Sequence, residues 1–402
     1  MERIVVVGAS LAGLHAAEAL RAGGFDGSLT IVGDERPLPY DRPPLSKQVL
    51  AGTQQLAEIE LRQSSTIDVT WERGVAATGL DLSNRQLRLA DGRSLGFDGM
   101  VITVGAAPRR LPGTETYANV CELRTAEDVR RLRALVDAGA RHVTVVGAGF
   151  IGCEVAATCR GLGLDVTIVE PLPAPLARVL GTEVGHVVAG LHVEHGVDVR
   201  LGIGVSSFEG EGEGRRCTGV HLSDGSLVET DVVVVGIGVI PNTGWLEGSG
   251  LTLDDGVVCD ETTLAAPGVV AAGDVARWPN PTYGGELMRV EHWEHAINMG
   301  SHAAKRLLAE ARGEPGQPFA TVPWFWSDQY DRKLQLAGRP RPTDEVAVVA
   351  GSYAERKFCV LYGRAGRVTG VLAMNMPAKV VRYRRALADG LAWADALADA
   401  GA

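Results

Sequence analysis

The sequence of 402 residues has no hydrophobic run long enough to cross a membrane, and it has no excess of positive charge. Its longest uncharged stretch, residues 232–246, is shorter than the roughly 20 apolar residues of a spanning helix, and Gly236, Gly238 and Pro241 interrupt it. The first apolar segment starts at Arg3, which leaves no room for a signal peptide. Asp and Glu number 49 against 39 Lys and Arg, a balance that argues against a nucleic-acid partner. We therefore expect a soluble, cytoplasmic protein.

Cysteine is scarce and scattered. The six cysteines stand at positions 121, 153, 159, 217, 259 and 359, with no Cys-x-x-Cys pair and no spacing typical of metal ligands. This pattern gives no candidate metal site, and it favours reduced thiols buried at packing positions of an intracellular protein.

A nucleotide-binding motif opens the chain. The valine-rich run Arg3–Val7 is followed by G-A-S-L-A-G from Gly8 to Gly13, and then by apolar residues at helical spacing. A strand that turns sharply into a helix leaves free backbone N–H groups at the helix N-terminus, where a pyrophosphate binds favourably. Ser10 replaces the second glycine of the G-x-G-x-x-G fingerprint, so Gly8 and Gly13 alone could equally be turn and packing glycines.

Two features outside this loop favour the nucleotide-binding interpretation. A second apolar run, residues 29–32, ends at Asp34 and Glu35, where an acidic side chain can accept hydrogen bonds from a ribose. The whole pattern then recurs: residues 143–146, an unbroken G-A-G-F-I-G, a helix through Ala157, and residues 166–169 ending at Glu170. Because two copies are far more specific than one, the sequence predicts that the chain binds two dinucleotides.

The remaining segments predict the surrounding architecture. Strands are expected at residues 69–77, 85–89, 100–104, 197–201, 218–222, 227–230, 231–238 and 269–272, with a hairpin turn at 90–93. Helices are expected from Leu45 to about residue 50, at 125–139 and at 183–196. The last region begins with a tryptophan-rich segment and continues with strands at 333–336, 345–350, 358–361 and 368–374 and a final helix from Ala378.

The predicted fold class is therefore α/β, with two Rossmann-like dinucleotide-binding domains and a C-terminal α+β domain. The first dinucleotide-binding domain takes residues 1–111 and 235–319, the second takes 112–234, and the C-terminal domain takes 320–402. From the residues alone, Arg42, Lys47 and Arg109 are either solvated loop cations or groups that reach a cofactor.

A series of motifs resembles the FAD-containing, NAD(P)H-dependent ferredoxin reductases that serve cytochrome P450 and ring-hydroxylating dioxygenase systems. In chain order the motifs are G-A-S-L-A-G, P-Y-D-R-P-P-L-S-K, G-A-A-P-R, G-A-G-F-I-G-C-E, G-x-x-P-N, A-A-G-D, V-E-H-W and P-W-F-W-S-D-Q. They cover essentially the whole chain. The resemblance implies a glutathione-reductase-like arrangement, with an FAD-binding domain in two parts, an inserted NAD-binding domain, and a C-terminal domain that closes over the flavin.

The resemblance also assigns roles to individual residues. For FAD, it places Gly8, Ser10 and Gly13 at the pyrophosphate, Asp34 or Glu35 at the adenosine ribose, Asp274 at the ribityl chain, Trp326 near the flavin ring, and Arg42, Lys47, Arg109 and Trp293 at the cofactor. For the nicotinamide nucleotide, it assigns Gly147, Gly149, Phe150, Gly152 and Glu170. Phe150 is expected to shield the flavin until the nicotinamide displaces it.

Two further expectations concern charge. The resemblance implies a catalytic ion pair between Lys47 and Glu154 near the flavin, which could tune the reduced ring. The Glu170 carboxylate can accept a hydrogen bond from the ribose 2′-OH of NADH, and its negative charge repels the 2′-phosphate of NADPH. No arginine that could bind this phosphate follows closely, since the nearest is Arg178. We therefore predict NADH as the preferred donor.

The implied reaction transfers a hydride from NADH to FAD and then single electrons to a [2Fe–2S] ferredoxin. We do not expect electrons to pass through redox-active cysteines in this chain, because residues 45–50 contain no cysteine. Ferredoxins of this kind are typically acidic, so we expect a basic docking surface. Basic residues cluster near the start of the last helix, at Lys379, Arg382, Arg384 and Arg385, and after the tryptophan motif, at Arg332, Lys333, Arg339 and Arg341. Each of them is also compatible with an ordinary solvated surface. Of these, Arg382, Arg384 and Arg385 are the docking residues we predict.

Two other functions remain open from the sequence. One is an NADH-dependent reductase of rubredoxin, a quinone or a radical, and the other is a non-catalytic flavoprotein of the apoptosis-inducing-factor type. We expect a monomer or a weak homodimer.

Overall fold

Each of the two units into which the chain divides is assembled from three separate stretches of sequence. The computed structural model describes residues 1–64, 67–211 and 215–401. The first unit is formed by Met1–Asp41, Ile59–Ala107 and Ile240–Pro323, and the second by Arg42–Glu58, Pro108–Val239 and Trp324–Ala402.

A six-stranded sheet forms the centre of the first unit. Its strands, in spatial order, are Leu264–Ala266, Val269–Ala271, Gly99–Ile102, Arg3–Val7, Ser28–Gly33 and Thr70–Arg73. The first two are antiparallel and the other neighbouring pairs are parallel. Residues 4–7 are almost fully buried, as expected for a parallel strand that is covered on both faces.

Two helices of the first unit, Leu11–Ala22 and Trp293–Ala311, pack closely against each other. Gly300 permits this approach, since a Cβ atom there would lie 2.4 Å from the backbone oxygen of Ala12. Two small sheets complete this unit: Ala77–Asp81, Gln86–Leu89 and Ser94–Gly96 form one, and Val257–Val258, Ala276–Asn280 and Glu286–Met288 form the other. Its short 3₁₀ helices are Gly244–Leu246, Gly273–Val275 and Pro281–Tyr283.

The second unit contains a parallel sheet of five strands. In spatial order these are Asp198–Leu201, Asp165–Glu170, His142–Val146, Val232–Val235 and Val120–Cys121. The helices of this part are Ala126–Asp137, Phe150–Gly161 and Ala177–Glu194, and an antiparallel sheet is formed by Val205–Glu211, Arg216–Leu222 and Leu227–Glu229. Thr125 and Asp128 form a capping box that fixes the start of the first of these helices.

An antiparallel sheet of five strands forms the C-terminal part of the second unit. Its strands, in spatial order, are Trp324–Gln329, Arg332–Gly338, Arg367–Met374, Lys357–Arg364 and Glu345–Ser352, and the helices Pro377–Ala388 and Trp393–Gly401 follow it. The Tyr362 hydroxyl donates to the backbone oxygen of Leu180 at 3.1 Å, and Arg356 forms an ion pair with Glu194. Both contacts join this sheet to the helix Ala177–Glu194.

The remaining short elements are the 3₁₀ helices Pro43–Ser46 and Leu56–Ile59, the helix Gln48–Ala51, and the paired strands Ala106–Pro108 and Val239–Pro241. In the described part of the chain, no helix has the length and apolar character required to cross a membrane.

The structure confirms the two strand–loop–helix motifs and the 90–93 hairpin turn, and it corrects several boundaries. The strand expected at 69–77 is two strands, because the chain turns at Gly74, whose φ is +74°. The helix expected from Leu45 is interrupted at Lys47, which has non-helical dihedral angles of −124° and −103°. The helix predicted at 183–196 is the longer part of Ala177–Glu194, because Gly181, with a φ of +76°, separates a short first turn from it. The final helix is two helices separated by Gly390, whose φ is +74°.

Candidate functional site

The first glycine loop joins the strand Arg3–Val7 to the helix Leu11–Ala22. Gly8 has a φ of +121°, and a Cβ atom there would lie 2.3 Å from the backbone oxygen of Thr103. A Cβ atom on Gly13 would lie 1.9 Å from the backbone oxygen of Gly8, so the helix and the strand approach too closely for any side chain. Ser10 is the N-cap residue, and its side chain makes no capping hydrogen bond. The N–H groups of the first helical turn are therefore left for a ligand, which fits the pyrophosphate of a dinucleotide.

The acidic residues that follow the second strand of this unit differ in exposure. Asp34 is exposed, whereas Glu35 is half-buried and accepts a hydrogen bond from the Tyr40 hydroxyl at 2.5 Å. Holding Glu35 in one orientation suits a carboxylate that must receive a ribose hydroxyl. The fixed geometry favours Glu35 over Asp34 for this task.

Two other predicted cofactor residues of the first unit lie at the start of helical segments. Asp274 is in the 3₁₀ helix Gly273–Val275 and is half-buried, and its backbone oxygen accepts a hydrogen bond from Arg289. Trp293 begins the helix Trp293–Ala311, and its indole N–H donates to Asp41 at 2.7 Å.

The second glycine loop repeats this geometry in the second unit. Gly147 has a φ of +97°, and a Cβ atom on Gly152 would lie 2.1 Å from the backbone oxygen of Gly147. Gly149 is different: its φ is −74°, and the nearest atom to a Cβ built there is 3.8 Å away. The unit itself therefore leaves room for a side chain at Gly149. A glycine is explained there by the close approach of a ligand, as at the second position of the dinucleotide fingerprint.

Glu170 lies buried at the end of the neighbouring strand. One carboxylate oxygen accepts the N–H of Ala148 at 2.7 Å, and the other accepts the N–H of Leu172 at 2.9 Å. Because each carboxylate oxygen can accept about two hydrogen bonds, the group retains acceptor capacity for a ligand hydroxyl. The bond to Ala148 places this carboxylate directly beside the second glycine loop.

The acids of the two units are not structurally equivalent. Gly8 N–H donates to Val32 in the first unit, and Gly147 N–H donates to Val169 in the second, both at 2.8 Å. By this register Glu170 matches Gly33, not Asp34 or Glu35. A Cβ atom on Gly33 would lie 2.4 Å from that of Ala9, so the first unit has no room for a side chain there. Its acidic residues, Asp34 and Glu35, therefore stand one and two positions later in the chain.

The strand Trp324–Gln329 lies against the second glycine-loop helix, Phe150–Gly161. Side chains alternate along a strand, so Phe325, Ser327 and Gln329 share one face. On that face, the rings of Phe325 and Phe150 meet edge to face with centroids 4.5 Å apart. One helical turn further on, Ser327 contacts Glu154.

Glu154 is the centre of a buried polar cluster in the second unit. Glu154 is 5% exposed, and its Oε2 atom accepts from Lys47 Nζ at 2.6 Å and from Ser46 Oγ at 2.5 Å. Its Oε1 atom accepts from Ser327 Oγ at 2.8 Å. The break in the helix at Lys47 is what releases this side chain from the helical direction. The ion pair expected between Lys47 and Glu154 is present, with charge-assisted hydrogen bonds on both oxygens.

The other predicted cofactor residues of the second unit, Arg42, Arg109 and Trp326, differ in their contacts and exposure. Arg42 donates to the backbone oxygen of Arg124 at 2.6 Å. Arg109 is exposed, and its backbone N–H donates to Gly238 at 2.9 Å. Trp326 is half-buried, with the Trp324 ring 5.4 Å away.

The three arginines predicted to bind a partner all lie on the helix Pro377–Ala388 and differ in their contacts. Arg382 forms an ion pair with Asp399, so part of its charge is compensated. The Arg384 guanidinium lies over the Trp324 ring at 5.7 Å, and Arg385 is exposed. Of the other basic residues, Lys333 pairs with Asp328 and also lies over the Trp326 ring.

All six cysteines are buried and none forms a disulfide, as the sequence predicted. Burial raises the pKa of each thiol, to about 11 at Cys121 and about 12 at Cys159, Cys259 and Cys359. A thiol that stays protonated is a poor nucleophile. No cysteine of the chain is therefore suited to thiol–disulfide exchange in this fold.

Two Rossmann-type units with separate glycine loops, and a buried lysine–glutamate pair beside the second loop, define an oxidoreductase that uses two dinucleotides. The chain belongs to the pyridine nucleotide-disulphide oxidoreductase family, which its residues 2–300 match, and residues 324–402 match the C-terminal domain of the reductases. This family uses FAD and NAD(P)H. The open position at Gly149 and the uncapped helix at Ser10 fit these cofactors.

Several relatives are similar over nearly the whole chain. Rhodocoxin reductase of Rhodococcus erythropolis is 37% identical over 96% of this chain and 89% of its own length. The ferredoxin–NAD(+) reductase component of the p-cumate 2,3-dioxygenase system of Pseudomonas putida is 37% identical over 96% of this chain and 93% of its own. In the crystal structure of the covalent putidaredoxin reductase–putidaredoxin complex, a chain that is 33% identical superposes with a TM-score of 0.90, covering 96% of this chain and 93% of that one.

Sequence reasoning missed two members of the Glu154 cluster, Ser46 and Ser327, and it missed Gln329, whose amide donates to the Ser327 oxygen at 3.4 Å. The period of two along W-F-W-S-D-Q could have indicated the last two, because it places Ser327 and Gln329 on the face of Phe325, opposite the two tryptophans. No sequence pattern around Ser46 indicates its contact with Glu154. Ser46 reaches Glu154 because the chain changes direction at Lys47.

Proposed function

We propose that this protein transfers electrons from NADH through bound FAD to a [2Fe–2S] ferredoxin. The observation that carries the proposal is the match along nearly the whole chain, C-terminal domain included, to reductases that include the ferredoxin–NAD(+) reductase component of a dioxygenase system and the ferredoxin reductase for the CYP199A2 system. A disulfide-reducing function fits less well, because every cysteine is buried with a raised pKa. When bound, the flavin supplies the chemistry that converts two-electron donation into single-electron transfer.

The chain's own residues bind and orient the two dinucleotides. We assign the FAD pyrophosphate to Gly8, Ser10 and Gly13, because the first helical turn there offers uncapped N–H groups. Glu35 takes the adenosine ribose. We retain Asp274, Trp293, Arg42, Arg109 and Trp326 as further FAD residues on the strength of the family motifs.

Binding of NADH is assigned to the second glycine loop. Gly147 and Gly152 fix the turn, Gly149 lets the pyrophosphate approach, and Glu170 receives the ribose hydroxyls. Phe150, held against Phe325, is the group that the nicotinamide displaces. The Glu170 carboxylate is held in place by its bond to the loop, so its negative charge would repel the 2′-phosphate of NADPH. This repulsion supports NADH as the preferred donor.

Lys47 and Glu154 are the catalytic residues of the proposal. Glu154 holds the Lys47 ammonium at 2.6 Å, and the pair excludes water because both side chains are nearly buried. A paired cation of this kind can compensate charge that develops on the flavin without leaving an uncompensated charge in the resting protein.

We further propose that the ferredoxin docks near Arg382, Arg384 and Arg385. Arg385 is exposed, and Arg384 is held over Trp324 on the strand that carries Trp326. An acidic partner would be attracted there despite the net charge of −10, because interfacial charges act over about 10 Å at ordinary salt.

Comparison of electron acceptors tests this proposal. Purified FAD-loaded protein is given NADH anaerobically, and the reduction of a [2Fe–2S] ferredoxin, a rubredoxin, a quinone and ferricyanide is followed at equal concentration. We expect ferricyanide and ferredoxin to be reduced and the ferredoxin to be the preferred protein acceptor. Preference for rubredoxin or the quinone would support the corresponding alternative, and failure of NADH to reduce the flavin would support a non-catalytic role.

A further inference from the structure

A line of buried polar side chains extends from Glu154 through the second unit. Ser327, Gln329 and His192 are each fully buried, and none has a role in the dinucleotide assignments above. Burying an amide or a hydroxyl without a compensating hydrogen bond costs free energy. Their presence beside the Lys47–Glu154 pair therefore requires an explanation.

The direction of each hydrogen bond can be worked out from the donors. Lys47 and Ser46 donate to one oxygen of Glu154, and Ser327 donates to the other. A serine hydroxyl has one hydrogen, and Gln329 Nε2 donates to the Ser327 oxygen at 3.4 Å. The Ser327 hydrogen is thereby left for Glu154.

The Ser327 bond completes the support of the carboxylate. Oε1 has Ser327 as its donor, whereas Oε2 has two donors that both come from residues 46–47. Without the hydroxyl, Glu154 could rotate about its terminal bond and carry Lys47 with it, because one side of the carboxylate would lack a fixed partner.

Further along the line, the Tyr330 hydroxyl lies 2.9 Å from Nδ1 of His192. Burial lowers the pKa of His192 to about 4, so the ring is neutral at physiological pH, and the neighbouring Gln329 amide opposes that shift. The line thus ends on a neutral ring and adds no charge that competes with Lys47.

We propose that Ser327 is a positioning residue that fixes the Glu154 carboxylate against Lys47, and that Gln329 fixes the Ser327 hydroxyl. This rests on the proposed function, because Lys47 and Glu154 acquire their catalytic role through the flavin. The C-terminal strand Trp324–Gln329 would then contribute to flavin reduction through its inward face, Phe325, Ser327 and Gln329, as well as through its tryptophans.

The direct test measures the chemical reactivity of Lys47. FAD-loaded wild type and Ser327→Ala are treated with a neutral acylating reagent, and modification of each lysine is quantified by mass spectrometry. A lysine held by a carboxylate reacts slowly. Ser327→Ala removes a hydrogen bond to the charged Glu154 carboxylate, and the loss of such a bond corresponds to about a tenfold change in an equilibrium. We therefore expect the acylation rate of Lys47, relative to that of the exposed Lys305, to be about tenfold higher in Ser327→Ala than in wild type.

Conservative and remote variants complete the design. Ser327→Thr keeps the hydroxyl and should react as wild type does, whereas Gln329→Met should resemble Ser327→Ala more weakly. Ser206→Ala removes an exposed hydroxyl elsewhere in the same unit and serves as the matched control. Unchanged Lys47 reactivity in folded Ser327→Ala would overturn the proposal.

Flavin reduction by NADH is followed in the same variants by stopped flow. We expect the limiting rate in Ser327→Ala to fall while the NADH dissociation constant stays the same, a separation that general loosening of the fold would not produce. If wild-type flavin is not reduced by NADH, the proposed function fails, and the acylation comparison still decides the positioning role.

Discussion

Two buried carboxylates on neighbouring elements of the second unit have different partners, and the difference suits different tasks. Glu154 is bonded to an ammonium and two hydroxyls, so its charge is compensated by side chains. Glu170 is bonded to two backbone N–H groups, which compensate charge only partly. The first is suited to hold a cation, and the second to receive ligand hydroxyls.

At the residue scale, Glu170→Ala should reduce discrimination between the two nicotinamide donors. Removing the carboxylate removes an acceptor for the ribose and a repulsive charge against a 2′-phosphate, so the ratio of kcat/KM for NADH over NADPH should fall about tenfold. Steady-state kinetics with ferricyanide measure it. Glu229→Ala, at an exposed position of the same unit, should leave the ratio unchanged, and an unchanged ratio in Glu170→Ala would refute the assignment.

At the scale of elements, the two glycine loops show which glycines the fold needs and which a ligand needs. Gly152 is required by the fold, because a Cβ atom would meet the Gly147 oxygen at 2.1 Å. Gly149 has no such neighbour. In the first loop the position that matches Gly149 is Ser10, so the two loops leave different amounts of room for their dinucleotides.

Alanine substitutions should separate these two roles. Gly152→Ala should destabilise the protein by about 2 kcal/mol or more through overpacking. Gly149→Ala should change the free energy of unfolding by less than about 0.5 kcal/mol, yet weaken NADH binding, because a methyl group fills the room for the pyrophosphate. Denaturant unfolding and NADH titration measure both quantities. Equal loss of stability in the two variants would contradict this account of Gly149.

A second prediction at this scale concerns the helix Trp293–Ala311 of the first unit. His295 on this helix is buried and stacks on Trp278 with ring centroids 4.9 Å apart. Burial lowers the pKa of His295 to about 3. Because its folded-state pKa lies below the unfolded value near 6.5, the unfolded chain binds the proton more readily. Stability is therefore complete above pH 6.5 and is lost as the pH falls toward 3.

The variant His295→Phe keeps an aromatic ring and removes this proton. Between pH 7 and pH 5, wild type should lose about 2 kcal/mol more unfolding free energy than the variant. Urea unfolding at the two pH values measures the difference. Equal acid sensitivity of wild type and His295→Phe would show that His295 is not the responsible group.

Sequence alone predicted the repeated strand–loop–helix motifs well, because buried valine runs and glycine loops are local signals. It failed where tertiary contacts decide local structure. The turn at Lys47 is not encoded in helix propensity; the side chain is directed to Glu154, which is more than 100 residues away. The sequence identifies residues 324–329 only by their aromatic side chains. The structure shows that Ser327, on the opposite face from the tryptophans, donates to Glu154 of the helix Phe150–Gly161.

For the molecule as a whole, the net charge of −10 is opposed by a local basic region. The region comprises Arg382, Arg384 and Arg385 on the helix Pro377–Ala388, and Asp399 compensates part of the Arg382 charge. Steering of a partner depends on such local potential more than on net charge, and it weakens as salt increases.

Reversing the charge of Arg382, Arg384 and Arg385 to Glu should raise the apparent ferredoxin KM about tenfold or more at low salt. NADH-to-ferricyanide activity should remain, because this acceptor needs no docking surface. A control triple variant that reverses the exposed Arg130, Arg141 and Arg215 makes the same change in net charge. If both triple variants raised the KM equally, net charge and not the Arg382 region would be responsible.

The most direct test of electron transfer to a ferredoxin is NADH-driven reduction of cytochrome c by the FAD-loaded protein, with and without an added [2Fe–2S] ferredoxin, at low and high salt. We predict that reduction depends strongly on the ferredoxin and slows as salt screens the docking charges. Rapid ferricyanide turnover with no ferredoxin dependence across several candidate ferredoxins would contradict the proposed acceptor.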